Sequence, residues 1–99
     1  MTLKQIQEAL GVRRGGTAKI WEYQVSHQWL IIRLTAPHLV GNFHLSCGAC
    51  ERAEFDTCWS PVTVQVEQVT GGFVVSDGAH LHIKCGVLEG TFNAEPFWA

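Results

Sequence analysis

Val62-Thr63-Val64-Gln65-Val66-Glu67-Gln68 places three valines at every second position, each followed by a polar residue. Successive side chains of a β-strand point to opposite faces, so this period of two predicts a strand over 62–68 with one side in a core and one in water. The next stretch repeats the signal. Thr70-Gly71-Gly72 is a turn sequence, Phe73–Val75 a short strand, and Asp77-Gly78 a second turn. His80–Cys85 alternates Leu81, Ile83 and Cys85 against His80, His82 and Lys84. Gly86 is expected to break that strand, leaving Val87–Asn93 as a last one.

Toward the N-terminus the same period recurs. Asn42–Cys47 sets Phe43, Leu45 and Cys47 on one face, and a turn over Gly48–Glu51 would fold it into a hairpin with Arg52–Trp59. Trp29–Thr35 gathers Leu30, Ile32 and Leu34 on one face with Arg33 and Thr35 on the other. It ends at Ala36-Pro37, because proline has no N–H for a ladder and biases the residue before it. Trp29 alternates away from the apolar face, which calls for a second layer or an interface. Lys19–Val25 aligns Trp21, Tyr23 and Val25, and Ser26–Gln28 can turn it into the following strand. Val12–Gly16 is a loop.

Before that loop lies the one helical pattern. Thr2 and Gln5 fit a capping box, Leu3, Ile6 and Leu10 form a stripe at spacings of three and four, and Gly11 is expected to close the helix in the left-handed conformation. A helix this short is marginal alone, so its stripe must dock. Together these elements predict a mainly β, α+β single domain over 1–99. It has a helix at about 2–10, a β-rich body at 18–94 and a tail at 95–99 in which Phe97 and Trp98 can still pack. One helix and six or seven strands fit an antiparallel β-sandwich or a small barrel equally well.

Composition narrows the function classes. Apolar residues make up 46% of the 99 residues and charged ones 16%, against roughly 25% charged in average soluble proteins. Part of the surface is therefore uncharged, and four tryptophans in so short a chain point to an aromatic core or a covered face. The net charge of -2 hides a basic first half and an acidic second half. Lys4, Arg13, Arg14, Lys19 and Arg33 face Glu8 and Glu22 in residues 1–50; Arg52 and Lys84 face seven carboxylates in residues 51–99. The two halves are expected to pair within one fold, the alternative being alignment of two copies. Nucleic-acid binding is disfavoured, since it needs a sustained basic face. No stretch approaches a membrane span and no signal segment precedes the body, which makes the expected compartment cytoplasmic.

Three groups of residues are candidates for chemistry. His44, Cys47, Cys50 and Cys58 follow H-x2-C-x2-C-x7-C, whose CxxC pair suits zinc. In the expected hairpin Cys58 lies roughly 23 Å from Cys50 at 3.3 Å per residue, so a metal set would draw on Cys47, Cys50 and Cys85 instead. Against this, Cys47 and Cys85 continue inward-facing apolar sets, where a free cysteine packs as a small core residue. Cys58 shares its alternation face with Glu54 and Asp56, as an exposed thiol whose neighbours would blunt its reactivity. His44, His80 and His82 share outward register and would form a surface histidine cluster if their strands are neighbours; Asp77 with His80, or Cys58, would be the catalytic addition. Arg13 and Arg14, flanked by glycines, form a possible anion loop, although a helix C-terminus repels anions.

No Ser/His/Asp motif, paired-carboxylate signature or DNA-reading module is recognisable, and the balance leans away from an enzyme. The expected role is a non-enzymatic interaction or structural module that self-associates or binds a protein partner, with no cofactor. The alternatives are a zinc- or thiol-dependent protein using the cysteine group and a small-molecule binder using a barrel interior.

Overall fold

The computed structural model describes residues 1–93, apart from the side chains of residues 27 and 93; the expected C-terminal tail lies outside them. Helix α1 runs over Leu3–Gly11, followed by strands β1 (Thr17–Gln24), β2 (Trp29–Thr35), β3 (Asn42–Phe55), β4 (Cys58–Trp59), β5 (Gln65–Val69), β6 (Gly72–Asp77) and β7 (Leu81–Asn93). The chain is mainly β with one short N-terminal helix, and the strands form one antiparallel sheet in the order β4-β1-β2-β3-β7-β6-β5.

Laid flat, this sheet would hold its edge strands roughly 29 Å apart at 4.8 Å per strand. Yet β4 and β5 are joined by residues 60–64 alone, which reach at most about 22 Å. The sheet must therefore curl until its edges approach. Three side-chain contacts hold that curl. Trp59 Nε1 on β4 donates to Asp77 Oδ2 on β6 at 2.7 Å, and Thr63 in the crossing segment donates its N–H and hydroxyl to the same carboxylate at 2.9 and 2.6 Å. Val62 also exchanges backbone bonds with Gly15 and Gly16. This explains why the valine stretch alternates as expected, with Val62, Val64 and Val66 buried, although only its second half is in β5.

The two longest strands differ from the sequence reading. The expected hairpin over Gly48–Glu51 does not form: β3 passes straight through it, and β7 likewise passes through Gly86. These are changes of phase, not turns. Leu81, Ile83 and Cys85 face inward along the first part of β7, whereas beyond Gly86 it is Leu88 that packs on the core. Opposite, Ala49 has φ 51 and the register slips between Cys50 and Arg52. Both strands shift together, so the ladder survives and the sheet bends. Glycine at 48 serves packing, because a Cβ there would meet the Trp29 ring at 3.0 Å.

The capping box at Thr2 and Gln5 is present, but Gly11 ends α1 without a left-handed φ, which occurs instead at Gly15 (φ 82). The helix docks Ile6, Ala9 and Leu10 against the inner face. At roughly 1.5–3 kcal/mol for each large apolar side chain buried, this docking outweighs the marginal stability of a nine-residue helix. Leu30, Ile32, Leu34, Phe43, Leu45 and Ile83, all at 0% exposure, fill the interior.

Candidate functional site

The curl sorts the predicted residues into separate places. The three thiols do meet. Cys50 and Cys85 are directly opposite on β3 and β7, Cys50 Sγ donates to the Cys47 carbonyl at 3.4 Å, and Cys47 and Cys85 share a side-chain hydrogen bond. That bond and burial push the Cys47 thiol up, while the same bond favours the Cys85 thiolate over the opposing effect of burial. Burial, with Cys85 adding to it, raises Cys50 to about 11. Zinc needs thiolates, and among the described residues no group of three His, Cys, Asp or Glu is arranged to hold a metal ion. The arrangement is one of three buried, unbridged thiols, with Cys47 bonded to Cys85 and Cys50 to a backbone carbonyl.

The histidines do not meet. His44 lies opposite Thr91, whereas His82 lies opposite Glu54, ten residues further along β3. An antiparallel pairing of β3 with β7 sends matching positions to opposite ends. His44 accepts from Arg33 Nε at 3.0 Å, with its basicity lowered by burial and then by that guanidinium. His80 precedes β7; its Nδ1 is 2.7 Å from Asp56 Oδ2 and its ring stacks on Trp59 at 5.9 Å. Asp77 is not its partner. Burial disfavours the Asp77 carboxylate, but the Thr63 and Trp59 donors outweigh that and hold its pKa below the usual range.

The basic loop also divides. Arg13 is buried, donates to the Ala9 carbonyl at 3.2 Å and lies over Phe43 and Phe92 at 5.5 and 5.3 Å, while Arg14 is exposed. The two guanidiniums do not face one site. Cys58 is exposed as expected, but its cross-strand partner is Lys19. Of the carboxylates expected beside it, Glu54 lies on β3 opposite His82 and Asp56, just past the end of β3, meets His80.

What the sequence left open is the outer face of the sheet. The half-buried Trp29 covers Gly48, and the Gly48 backbone also lies against Val87, which is 53% exposed. In the next row, Ile31 pairs with Ser46 and Glu22. Trp21 occupies the slip in β1 between Ile20 and Glu22, and its ring lies 3.6 Å from the Arg33 guanidinium. Trp21, Trp29, Ile31 and Val87 thus make an apolar outer surface, with no second layer over it among the described residues. Among the described residues the expected pairing of basic and acidic halves is seen at one ion pair. Three of the four ion pairs among described residues lie within the second half, and only the Met1 amine with Glu89 crosses.

No family model, curated protein or solved structure matches this chain. No helix among the described residues is long and apolar enough to cross a membrane.

Proposed function

We propose that the chain is a non-enzymatic association module that pairs with a second copy through the outer face around Trp21 and Trp29. The observation that carries this reading is Trp29 itself, on the outer side of a sheet whose inner side is already filled. Aromatic residues ringed by polar ones mark association surfaces. A second copy is favoured by charge. Lys4, Arg14 and Lys19 make no ion pair with a described residue, nor do Glu8, Glu22 and Glu67. Both signs are thus free for pairing between copies. Four free thiols, three of them buried, suit a reducing compartment, so the module is taken to work in the cytoplasm.

The test is a surface charge placed beside Trp29. Val87→Asp should convert the assembly to monomer in sedimentation velocity, while Val40→Asp, at a position 95% exposed in the β2–β3 connection, should leave it intact. Equal assembly in both variants would refute the face.

A second reading, a zinc- or thiol-dependent protein using the cysteine group, draws on the convergence of the Cys47, Cys50 and Cys85 thiols, which as placed do not form a metal-holding group among the described residues. It predicts stoichiometric zinc in protein purified without added metal. Metal-free protein with unchanged melting would remove it. The packed interior offers no comparable support for a ligand inside the curled sheet.

A further inference from the structure

Cys50 and Cys85 stand directly opposite each other on β3 and β7, and both belong to the buried core. A direct antiparallel pair sets its Cα atoms roughly 4.5–5.5 Å apart, inside the roughly 4.4–6.8 Å that a disulfide spans. Cys47 pairs instead with Leu88, three positions further along the ladder. The left-handed Ala49 (φ 51) is what turns Cys50 inward, where strict alternation from Cys47 would turn it outward. Of these three thiols Cys50 has a route to solvent. At 9% exposure it lines a cleft of about 160 Å³ with Tyr23, Gln28 and Arg52, whereas Cys47 and Cys85 are at 0% and 1%.

We infer that Cys50 and Cys85 form an oxidation site for hydrogen peroxide that closes to a cross-strand disulfide. The Cys50 sulfur attacks one peroxide oxygen, the O–O bond breaks, and the thiol proton leaves with the departing hydroxide as water, giving a sulfenic acid at Cys50. The Cys85 sulfur then attacks the Cys50 sulfur, the S–O bond breaks, and the Cys85 proton and the hydroxide leave as a second water. Two thiols thus lose two electrons and one peroxide is reduced to two waters. Cys47 is a positioning residue for the second step, because its hydrogen bond to Cys85 favours the Cys85 thiolate. Burial, which raises the Cys50 thiol to about 11, keeps its thiolate scarce near neutrality and makes the first step slow. The site therefore answers to sustained peroxide. This gives the thiol reading a specific reaction and is independent of zinc and of self-association; peptide mapping tests the bond, and metal content tests the zinc.

The experiment uses Cys58→Ser, an exposed substitution that removes the competing thiol. The folded protein is treated with hydrogen peroxide, blocked with iodoacetamide in denaturant and digested with trypsin. Cleavage after Arg33, Arg52 and Lys84 separates residues 34–52, which hold Cys47 and Cys50, from residues 85–99, which hold Cys85. The two peptides should appear linked, two hydrogens lighter than their sum, with iodoacetamide on Cys47. The bridge closes a loop of roughly 35 residues and should raise the melting temperature by more than about 10 °C. Adding Cys50→Ala should abolish the link, and adding Cys47→Ala should keep it while slowing its formation. Treated protein that retains three free thiols, sulfinic acid at Cys50 without a link, a link made through Cys47, or a bridge that lowers the melting temperature would overturn the site.

Discussion

Asp77 is the residue on which the curl depends most, and replacing it tests the architecture directly. Its carboxylate receives three hydrogen bonds, from Trp59 Nε1, Thr63 N and the Thr63 hydroxyl, at 4% exposure. A bond to a charged acceptor contributes roughly 1.5–3 kcal/mol and a neutral one roughly 0.5–1.5 kcal/mol. Asp77→Asn keeps the shape but loses about 1 kcal/mol at each bond, or about 2–3 kcal/mol in all. Asp77→Ala also strands the Trp59 and Thr63 donors, for a loss of about 3–5 kcal/mol. The Asn variant should therefore melt roughly 10–20 °C lower, at about 4–8 °C per kcal/mol for a domain of this size. Urea unfolding should show the midpoint falling at unchanged slope. A loss below about 0.5 kcal/mol, the range of an ordinary surface change, would refute the clamp. The pH dependence follows from the same bonds. Because the folded carboxyl titrates below its unfolded value, the unfolded state binds more protons in acid. Stability is complete above about pH 4 and is lost as pH falls through the folded pKa. Asp77→Asn should flatten that acid limb.

Two further outcomes are expected. Gly16→Ala would drive a Cβ into the Thr35 carbonyl oxygen; this is backbone that cannot swing aside, so the variant should lose about 1–3 kcal/mol as an overpacked site, and unchanged urea unfolding would show that the loop does not lie against β2. Iodoacetamide should modify Cys58 first in the native protein and all four cysteines after denaturation. Native modification of Cys47, Cys50 or Cys85 at a comparable rate would contradict their burial.

The fold was legible where local pattern and tertiary role coincide. β2 has the boundaries its alternation implies, and the capping box at Thr2 and Gln5 forms because its bonds are local. The valines at 62, 64 and 66 face inward as expected even where no ladder bonds surround them, since alternation reports burial and not pairing. Gly48 and Gly86 misled for a physical reason. A glycine that breaks a strand and one that accommodates a tryptophan ring or a change of phase look the same in sequence. The candidate sites were less legible because they depend on strand order. Cys47, Cys50 and Cys85 converge through the pairing of β3 with β7, and that same antiparallel pairing separates His44 from His82. The pairing of Cys58 with Lys19 requires β4 to lie beside β1, a two-residue contact with no sequence signature. The Trp59–Asp77–Thr63 clamp spans the approach of two sheet edges, which no local pattern encodes.

The most direct test of the proposed role is sedimentation equilibrium of the unmodified protein across a concentration series up to several hundred micromolar. Association through the Trp21 and Trp29 face is expected to give twice the 11.0 kDa chain mass, with a population that rises with concentration. A single species at the chain mass throughout the series would contradict it.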